Sequence, residues 1–368
     1  MPPVYINRIA TAVPEHDIHQ PYLALARSFL PDARSKRLYD RMMERAEIDH
    51  RYAVFAAGDI EAGEVDASRF YRLGQFPGTS ARMAQYEMHA LRLAMRVSGT
   101  PALKLNASRI THLIVASCTG FSAPGLDIQL TLALGLRPTV SRTMIGFMGC
   151  AAAIPAMRAA HQTVSNNPDA QVLVINIELC SLHFQETASL ADLLCFSLFA
   201  DGCSAAIVSA QAEGLRIDDF HSQLIADSQD LITWQVGDSG FRMHLSGQVP
   251  ARIASALGAE VQQPSAHGFL QGRPAVALDG WAVHGGGRSV LDAVESGLGI
   301  PAEALRVSRD VLRDFGNMSS ATVMFTLARF LAQPAGVAAG KALAFGPGMV
   351  AESFSFTKAA DDESQVSK

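Results

Sequence analysis

Charged residues are scarce in this sequence, at 18% of 368 residues with a formal net charge of −5. No stripe of Lys and Arg is long enough for a nucleic-acid footprint, so we expect no nucleic acid as a partner. Gly, Pro or charge interrupts every apolar stretch before about 18 residues, and we therefore expect no membrane span. The N-terminus lacks a basic and then apolar leader, so we expect no signal peptide.

Cysteine is also sparse, and the cysteines are not spaced as in a metal site. The five cysteines are an odd number and form no CxxC pair; they are Cys118, Cys150, Cys180, Cys195 and Cys203. This pattern disfavours a disulfide framework and a zinc site, and we expect no metal. We expect reduced thiols and a cytoplasmic protein.

Apolar segments are abundant and regularly spaced. Hydrophobic residues make up 49% of the chain, enough for a substantial core. Near-continuous apolar strands such as residues 170–177 alternate with helical patterns in both halves. This predicts an α/β layered fold with its sheets covered on both faces, in two similar halves joined near residues 210–220.

One stretch, Thr143 to Ala160, combines a turn, a thiol and a helix start. An apolar run ends at Gly149, Cys150 follows, and an alanine-rich helical run begins at once. Amide groups and the helix dipole at such a position favour a thiolate, so we expect Cys150 to ionise readily. The alternative is an inert core thiol. Pro155 fits only within the first helical turn.

Two further corners carry polar residues of catalytic type. His284 ends a predicted strand and precedes three glycines, and Asn317 follows Gly316 and opens a helix. A thiol, an imidazole and an amide together suit acyl transfer through a thioester, with the last two donating to an oxyanion. Taken singly, His284 could be a hydrogen-bonded core histidine and Asn317 a helix N-cap.

A charged helix is predicted near residues 35–47. Arg41 and Arg45 are four residues apart and therefore share one face. They could bind an anionic group such as a nucleotide phosphate, or the helix could simply be a solvated surface element.

Several motifs together resemble the chalcone-synthase-like type III polyketide synthases. They are Val140 to Cys150, Leu198 to Gly202, Trp281 to Gly287, Gly316 to Ala321 and Phe345 to Gly348, and their spacing agrees over roughly residues 4–357. The resemblance implies a thiolase fold with a layered αβαβα core, divided into residues 1–215 and 216–368. It also implies a homodimer that condenses malonyl-CoA onto an acyl-CoA starter, with no cofactor beyond these CoA thioester substrates.

Residue roles carried over from the family are expectations. Cys150 matches the nucleophile, and His284 and Asn317 match the pair that supports decarboxylation and the oxyanion. Phe199 matches a gatekeeper between CoA tunnel and cavity, and Arg41 and Arg45 match the basic residues that hold CoA phosphates. Residues at or near cavity-lining positions are Cys180, His183, Trp234, Met243 and Ser319, with Gly346, Pro347 and Gly348 on the loop that shapes the cyclisation cavity.

Departures from the plant pattern bear on the substrate. Gly285 replaces a proline after the histidine, Met243 replaces a phenylalanine, and Trp234 replaces a glycine. The chain is therefore more similar to bacterial members, and the segment Glu178 to Gln185 favours a medium- or long-chain fatty acyl starter and alkylpyrone or alkylresorcinol products. Malonyl-only synthesis of a naphthalene or phloroglucinol product stays open.

Two rival functions remain. One is a ketoacyl synthase III-like enzyme that takes malonyl from acyl carrier protein. The other is a non-catalytic acyl-binding protein, which would have no need of Cys150, His284 and Asn317.

Overall fold

The computed structural model describes residues 2–60, 62–334 and 336–358. The strands are β1 (Val4–Ala12), β2 (His16–Asp17), β3 (Tyr52–Ala53), β4 (His112–Ser117), β5 (Ser141–Gly146), β6 (Val172–Leu179), β7 (Asp201–Ser209), β8 (Leu215–Leu224), β9 (Ile232–Gly237), β10 (Gly240–Leu245), β11 (Gly280–Val283), β12 (Val337–Gly346) and β13 (Val350–Lys358). The helices are α1 (His19–Phe29), α2 (Ala33–Ala46), α3 (Thr79–Ser98), α4 (Leu126–Ala133), α5 (Ala153–Asn166), α6 (Leu190–Phe196), α7 (Val249–Gln262), α8 (Arg288–Leu298), α9 (Arg306–Phe315) and α10 (Thr322–Ala332).

Nine strands form one sheet in the order β11-β12-β13-β8-β1-β7-β6-β4-β5. In the first half, β5, β4 and β6 run parallel and β6, β7 and β1 alternate in direction. The second half repeats this with β11 and β12 parallel and β12, β13 and β8 antiparallel. The halves meet where β1 pairs with β8 over Val4–Ile6. The repeat agrees with the two similar halves that the sequence predicts, and the exact boundary after residue 215 stays a prediction.

Side chains on the central strands alternate between two apolar cores. On β6, Val172 and Val174 face a central core, whereas Leu173 and Ile175 face an outer core that includes residues of α3 and α4. The same alternation occurs on β12, whose other face packs with residues of α7 and α8. Because strand side chains have a period of two, a strand buried on both faces is apolar along nearly its whole length. On β6 the exceptions are Asn176 and Glu178.

Helices α5 and α10 occupy the central layer between the two sheet halves. Both contribute residues to the central core, together with strands from each half. Alanines at positions 151–153, 156 and 160 are completely buried and let α5 approach the strands closely. The layers therefore follow the αβαβα order, which confirms the predicted thiolase-type α/β fold.

The strand order also brings the loops that carry candidate site residues to one end of the parallel strands. The loops after the parallel strands β5, β6, β11 and β12 begin just before Cys150, Cys180, His284 and Pro347, respectively. Functional groups of α/β sheets collect at such carboxyl ends. Asn317 arrives differently, from the short connection between α9 and α10.

One local element was not expected from the sequence. Strand β9 pairs with β10 in a separate hairpin in which Trp234 lies opposite Met243. We did not predict β9 from the sequence, although its apolar and polar residues alternate as in a half-buried strand. No helix among the described residues is both long enough and apolar enough to cross a membrane.

Candidate active site

The turn before α5 presents Cys150. Gly149 has a φ of 58°, in the left-handed region that favours glycine. Its amide donates to Cys118 Sγ at 3.0 Å, and a Cβ added to it would lie 2.2 Å from Pro347 Cδ. The turn is therefore held between the loop that follows β4 and the Gly346, Pro347 and Gly348 loop. Pro155 lies in the first turn of α5, as predicted.

Cys150 itself is partly exposed, unlike the other four cysteines. Burial raises the pKa of Cys150 to about 12, and the nearby Ser319 and Asn317 side chains offset this only in part by favouring the thiolate. The expectation of a readily ionised thiol is therefore wrong for the resting protein. Loss of hydration outweighs the stabilisation expected from a helix start.

His284 is buried directly after β11. Its backbone amide donates to the Leu343 carbonyl at 2.8 Å, which fixes the residue beside β12. Both ring nitrogens are buried and have no hydrogen-bond partner in the described residues. Burial lowers the pKa of His284 to about 4, so the ring is neutral at neutral pH. These features contradict the alternative of a core histidine whose nitrogens are paired within the protein.

Asn317 connects the other two residues. Its Nδ2 donates to the Gly286 carbonyl at 3.1 Å, and a Cβ on Gly286 would lie 3.5 Å from His284 Nε2. Its Oδ1 accepts from the Ser319 amide at 2.8 Å. Helix α10 has Ala321 as its N-cap and no side-chain cap, which contradicts the alternative that Asn317 is simply a helix N-cap. One Nδ2 hydrogen remains for a substrate, because an amide nitrogen carries two.

A small cavity of about 380 Å³ lies beside Gly149, the residue before Cys150, although Cys150, His284 and Asn317 do not line it. Five of the residues expected there line it, together with Cys118, Thr119, Gly149 and Phe196; the five are Cys180, Phe199, Trp234, Met243 and Ser319. Trp234 is held in place by its Nε1, which donates to the Cys118 carbonyl at 2.8 Å. These five side chains therefore border one space, and their role in binding substrate stays a prediction.

His183 lies one layer behind the cavity wall. It is fully buried and stacks on Phe241 with ring centroids 4.1 Å apart. Its Nε2 contacts the Thr119 carbonyl at 2.6 Å, and its Nδ1 accepts from the Phe241 amide at 3.0 Å. With both nitrogens engaged, His183 supports Trp234, whose ring is 5.2 Å away, rather than touching the cavity.

A large open groove of about 1670 Å³ approaches the site from another side. Arg45 lines it on α2, and Gly286 and Gly287 line it next to His284. Arg41 is exposed on the same helix but does not line the groove. Arg288, on the groove wall, pairs with Glu47 at 2.5 Å.

Glu178 is a functional candidate that the sequence reasoning missed. It is completely buried on β6, where burial raises its pKa to about 7. It accepts from the Cys118 amide, Thr119 Oγ1 and Ser320 Oγ at 3.0, 2.9 and 2.5 Å. The available signal was a carboxylate in a buried strand whose only other polar residue is Asn176.

Comparison with known proteins agrees with this geometry. Family models for the N-terminal and C-terminal domains of chalcone and stilbene synthases match residues 4–212 and 217–358. The chain belongs to the chalcone and stilbene synthase family. It is thus a type III polyketide synthase, a condensing acyltransferase. Among the described residues, no group of three or more His, Cys, Asp or Glu side chains is arranged to hold a metal ion.

Two bacterial proteins are among its relatives. It is 32% identical to the alpha-pyrone synthesis polyketide synthase-like Pks18 of Mycobacterium tuberculosis, over 95% of this chain and 90% of that protein. It is 33% identical to 1,3,6,8-tetrahydroxynaphthalene synthase of Streptomyces coelicolor, over 94% of this chain and 90% of that protein.

Solved structures agree over the full fold. A crystal structure of the Streptomyces coelicolor enzyme superposes with a TM-score of 0.84 and 30% identity, covering 98% of this chain and 100% of that one. PKS-I of the brown alga Ectocarpus siliculosus gives a TM-score of 0.85 and 32% identity, covering 98% and 99%.

The raised pKa of Cys150 predicts its alkylation profile. The rate of carboxamidomethylation by iodoacetamide should rise about tenfold per pH unit from about pH 7 to about pH 10 without a plateau, because only the thiolate reacts. Peptide mass spectrometry assigns the reaction to Cys150, and the four buried cysteines serve as internal controls. A plateau between about pH 6 and pH 8 would instead indicate a preformed thiolate–imidazolium pair.

Proposed function

We propose that this enzyme loads an acyl group from CoA onto Cys150 and extends it by decarboxylative condensation with malonyl-CoA. The observation that carries the proposal is that Cys150, His284 and Asn317 come from three separate turns of the chain and lie close together. The Asn317 side chain lies near the Cys150 sulfur and is bonded to Gly286, next to the His284 ring. The unpaired nitrogens of His284 leave it available to substrate.

The loading step follows from the neutral resting state. As Cys150 sulfur attacks the acyl carbonyl, its proton passes to the His284 ring, and the carbonyl oxygen becomes an oxyanion. Protonated His284 and the free Asn317 N–H donate to that oxygen. The C–S bond to CoA then breaks, and the CoA thiolate takes up the proton from His284.

Extension uses the same two donors. Loss of carbon dioxide from malonyl-CoA leaves an enolate whose oxygen accepts from neutral His284 and from Asn317. Its carbon attacks the Cys150 thioester, a C–C bond forms, and the cysteine thiolate is released and takes up a proton. A neutral donor is suited to this role, and burial keeps His284 neutral.

The open groove is the proposed route for CoA. Arg45 stands at its wall for the phosphates, with Arg41 one helical turn away. The gatekeeper role of Phe199 is part of this proposal: Phe199 lines the cavity, pairs with Asn317 in a β-bridge, and follows Leu198, which lines the groove.

For the starter, we propose a medium- or long-chain fatty acyl group, with alkylpyrone or alkylresorcinol products. The relationship to an alpha-pyrone synthesis polyketide synthase-like protein supports the pyrone form. The Streptomyces relative is named for a naphthalene product, which makes malonyl-only synthesis the competing candidate. A cytoplasmic location, and the need for no cofactor beyond CoA thioesters, stay predictions.

Intact-protein mass spectrometry tests the proposed chemistry. Acyl-CoAs should add one acyl group to the wild type and none to Cys150→Ala, and malonyl-CoA should then release a polyketide only from the wild type. Cys150→Ala should retain malonyl-CoA decarboxylation, whereas Asn317→Ala should lose it by about 100-fold, the order expected for an oxyanion donor.

The rivals give different results in the same assay. Activity with malonyl-acyl carrier protein but not malonyl-CoA would favour the ketoacyl synthase III-like alternative. No adduct from any thioester would favour an acyl-binding protein. Slow alkylation at neutral pH does not separate these cases, because burial already raises the pKa of Cys150.

Arg45 provides a test of the CoA route. Arg45→Ala should raise KM for CoA esters about two- to fivefold at low salt and less at high salt, since exposed charge pairs are weak and screened. Arg41→Ala should have a smaller effect, and the exposed Arg109→Ala should have none. An equal effect on pantetheine thioesters, which lack the nucleotide phosphates, would contradict phosphate binding.

We further propose a homodimer formed through β5. This strand ends the sheet, is paired on one side only, and is exposed along nearly its whole length. Met144, Phe147 and Phe121 are 41%, 39% and 53% exposed next to it, with the two phenyl rings 6.1 Å apart. An unprotected edge beside an apolar patch favours pairing with a second copy about a two-fold axis.

Met144→Asp should shift the dimer towards monomer in size-exclusion chromatography with light scattering, because a carboxylate would be buried at the interface. Val276→Asp is a matched control, because Val276 is also an exposed apolar residue, at 72%, and lies outside β5. A wild-type monomer, or a Met144→Asp dimer of unchanged stability, would contradict this interface.

A further inference from the structure

Arg82 is a buried cation that does not line the cavity. It lies in the first turn of α3 and is fully buried, and no carboxylate among the described residues pairs with it. Its guanidinium instead lies 5.2 Å over the Tyr71 ring, and its Nη1 donates to the Tyr71 hydroxyl at 3.1 Å. Burying a charge without a counter-ion is costly, so neutral acceptors must stabilise this group.

Three backbone carbonyls supply the other acceptors. Arg82 Nε donates to the Pro77 carbonyl at 2.8 Å. Its Nη1 donates to the carbonyls of Leu182 and Phe184 at 2.7 and 2.8 Å. Both of these carbonyls belong to residues 180–184, the segment that follows β6. The guanidinium therefore ties this segment to the start of α3.

The β9–β10 hairpin packs on the same guanidinium. Its turn residue Gly240 has a φ of 99°, and a Cβ added there would lie 3.0 Å from Arg82 Cζ. Thr79 holds this turn, because its hydroxyl donates to the Gly237 carbonyl and accepts from the Gly240 amide. The guanidinium thus lies between the hairpin and residues 180–184.

These two segments carry one side of the cavity wall. Cys180 comes from the first segment, and Trp234 and Met243 come from the hairpin. His183 joins the segments, because its Nδ1 accepts from the Phe241 amide of β10 at 3.0 Å. None of the contacts described for Arg82 involves the candidate trio. Arg82 is therefore placed to affect the cavity wall separately from the trio.

We propose that Arg82 is a positioning residue that sets the shape of the cavity, and thereby the number of malonyl units added. The inference rests on the proposed condensation function. Loss of the guanidinium would leave buried carbonyls without a donor and remove the surface on which Gly240 packs. The hairpin would then shift outward with Trp234 and Met243. A wider cavity accommodates a longer polyketide, whereas loading of the starter is unchanged.

Product length tests this role. Arg82→Met keeps a long side chain and removes the donors. With hexanoyl-CoA and malonyl-CoA, the yield of products one malonyl unit longer than the main wild-type product should rise about threefold, by liquid chromatography and mass spectrometry. The kcat/KM for loading of Cys150 should change by less than about twofold, because loading and extension depend on different contacts. Arg82→Lys should restore part of the wild-type profile. Arg92→Met, exposed on the same helix, is the matched control.

Tryptophan quenching tests the positioning without turnover. The chain has two tryptophans. Trp281 is completely buried and Trp234 is half-buried, so acrylamide quenching reports mainly on Trp234. Arg82→Met should raise the quenching constant, because the hairpin that carries Trp234 loses its support. Arg92→Met should leave the constant at the wild-type value.

Each remaining outcome decides between the explanations. A product profile or a quenching constant that Arg82→Met leaves at the wild-type value overturns the proposal. Loading and extension that fall equally, with no change in product length, indicate a general role in stability and also overturn it. No adduct on wild-type Cys150 from any acyl-CoA overturns the proposed function, and quenching still tests the support of Trp234. If Arg82→Met fails to fold, Thr79→Val should give the same two changes.

Discussion

The Gly149 turn packs directly against the Pro347 ring, and no side chain fits between them. This contact joins the loop after β5 in the first half to the loop after β12 in the second. It places Cys150 at the boundary between the halves, where His284 and Asn317 arrive from the second half. Any residue other than glycine at position 149 would combine an unfavourable φ with a steric clash against Pro347.

Burial controls the electrostatics of this boundary. It raises the pKa of Cys150 and lowers that of His284, so both are neutral at rest. Glu178, whose pKa burial also raises, adds to the cost of a thiolate when it is charged. In the proposed loading step, the proton therefore leaves Cys150 only as its sulfur attacks the substrate carbonyl.

Much of this arrangement can be predicted from residues. The apolar run through β6, the glycine before Cys150 and the three glycines after His284 have local causes: two-sided burial, a left-handed turn and a close approach to a helix. Local patterns were less informative for Glu178, because its hydrogen-bond partners Thr119 and Ser320 are distant in sequence. The ionisation state of Cys150 was wrongly expected, because a helix start is visible in the sequence and the degree of burial is not.

The sequence by itself determined the family, the layered α/β fold and the identities of the candidate trio, because each depends on short-range turn and strand chemistry and on motif spacing. The tertiary structure decided which predicted side chains reach the cavity. It placed Arg45 on the groove and Arg41 outside it, and Trp234 on the wall with His183 behind it. It also showed that β5 is an edge strand of the sheet, paired with β4 on one side only. Those features arise from packing between segments far apart in the chain, where small differences in side-chain position decide whether a space exists.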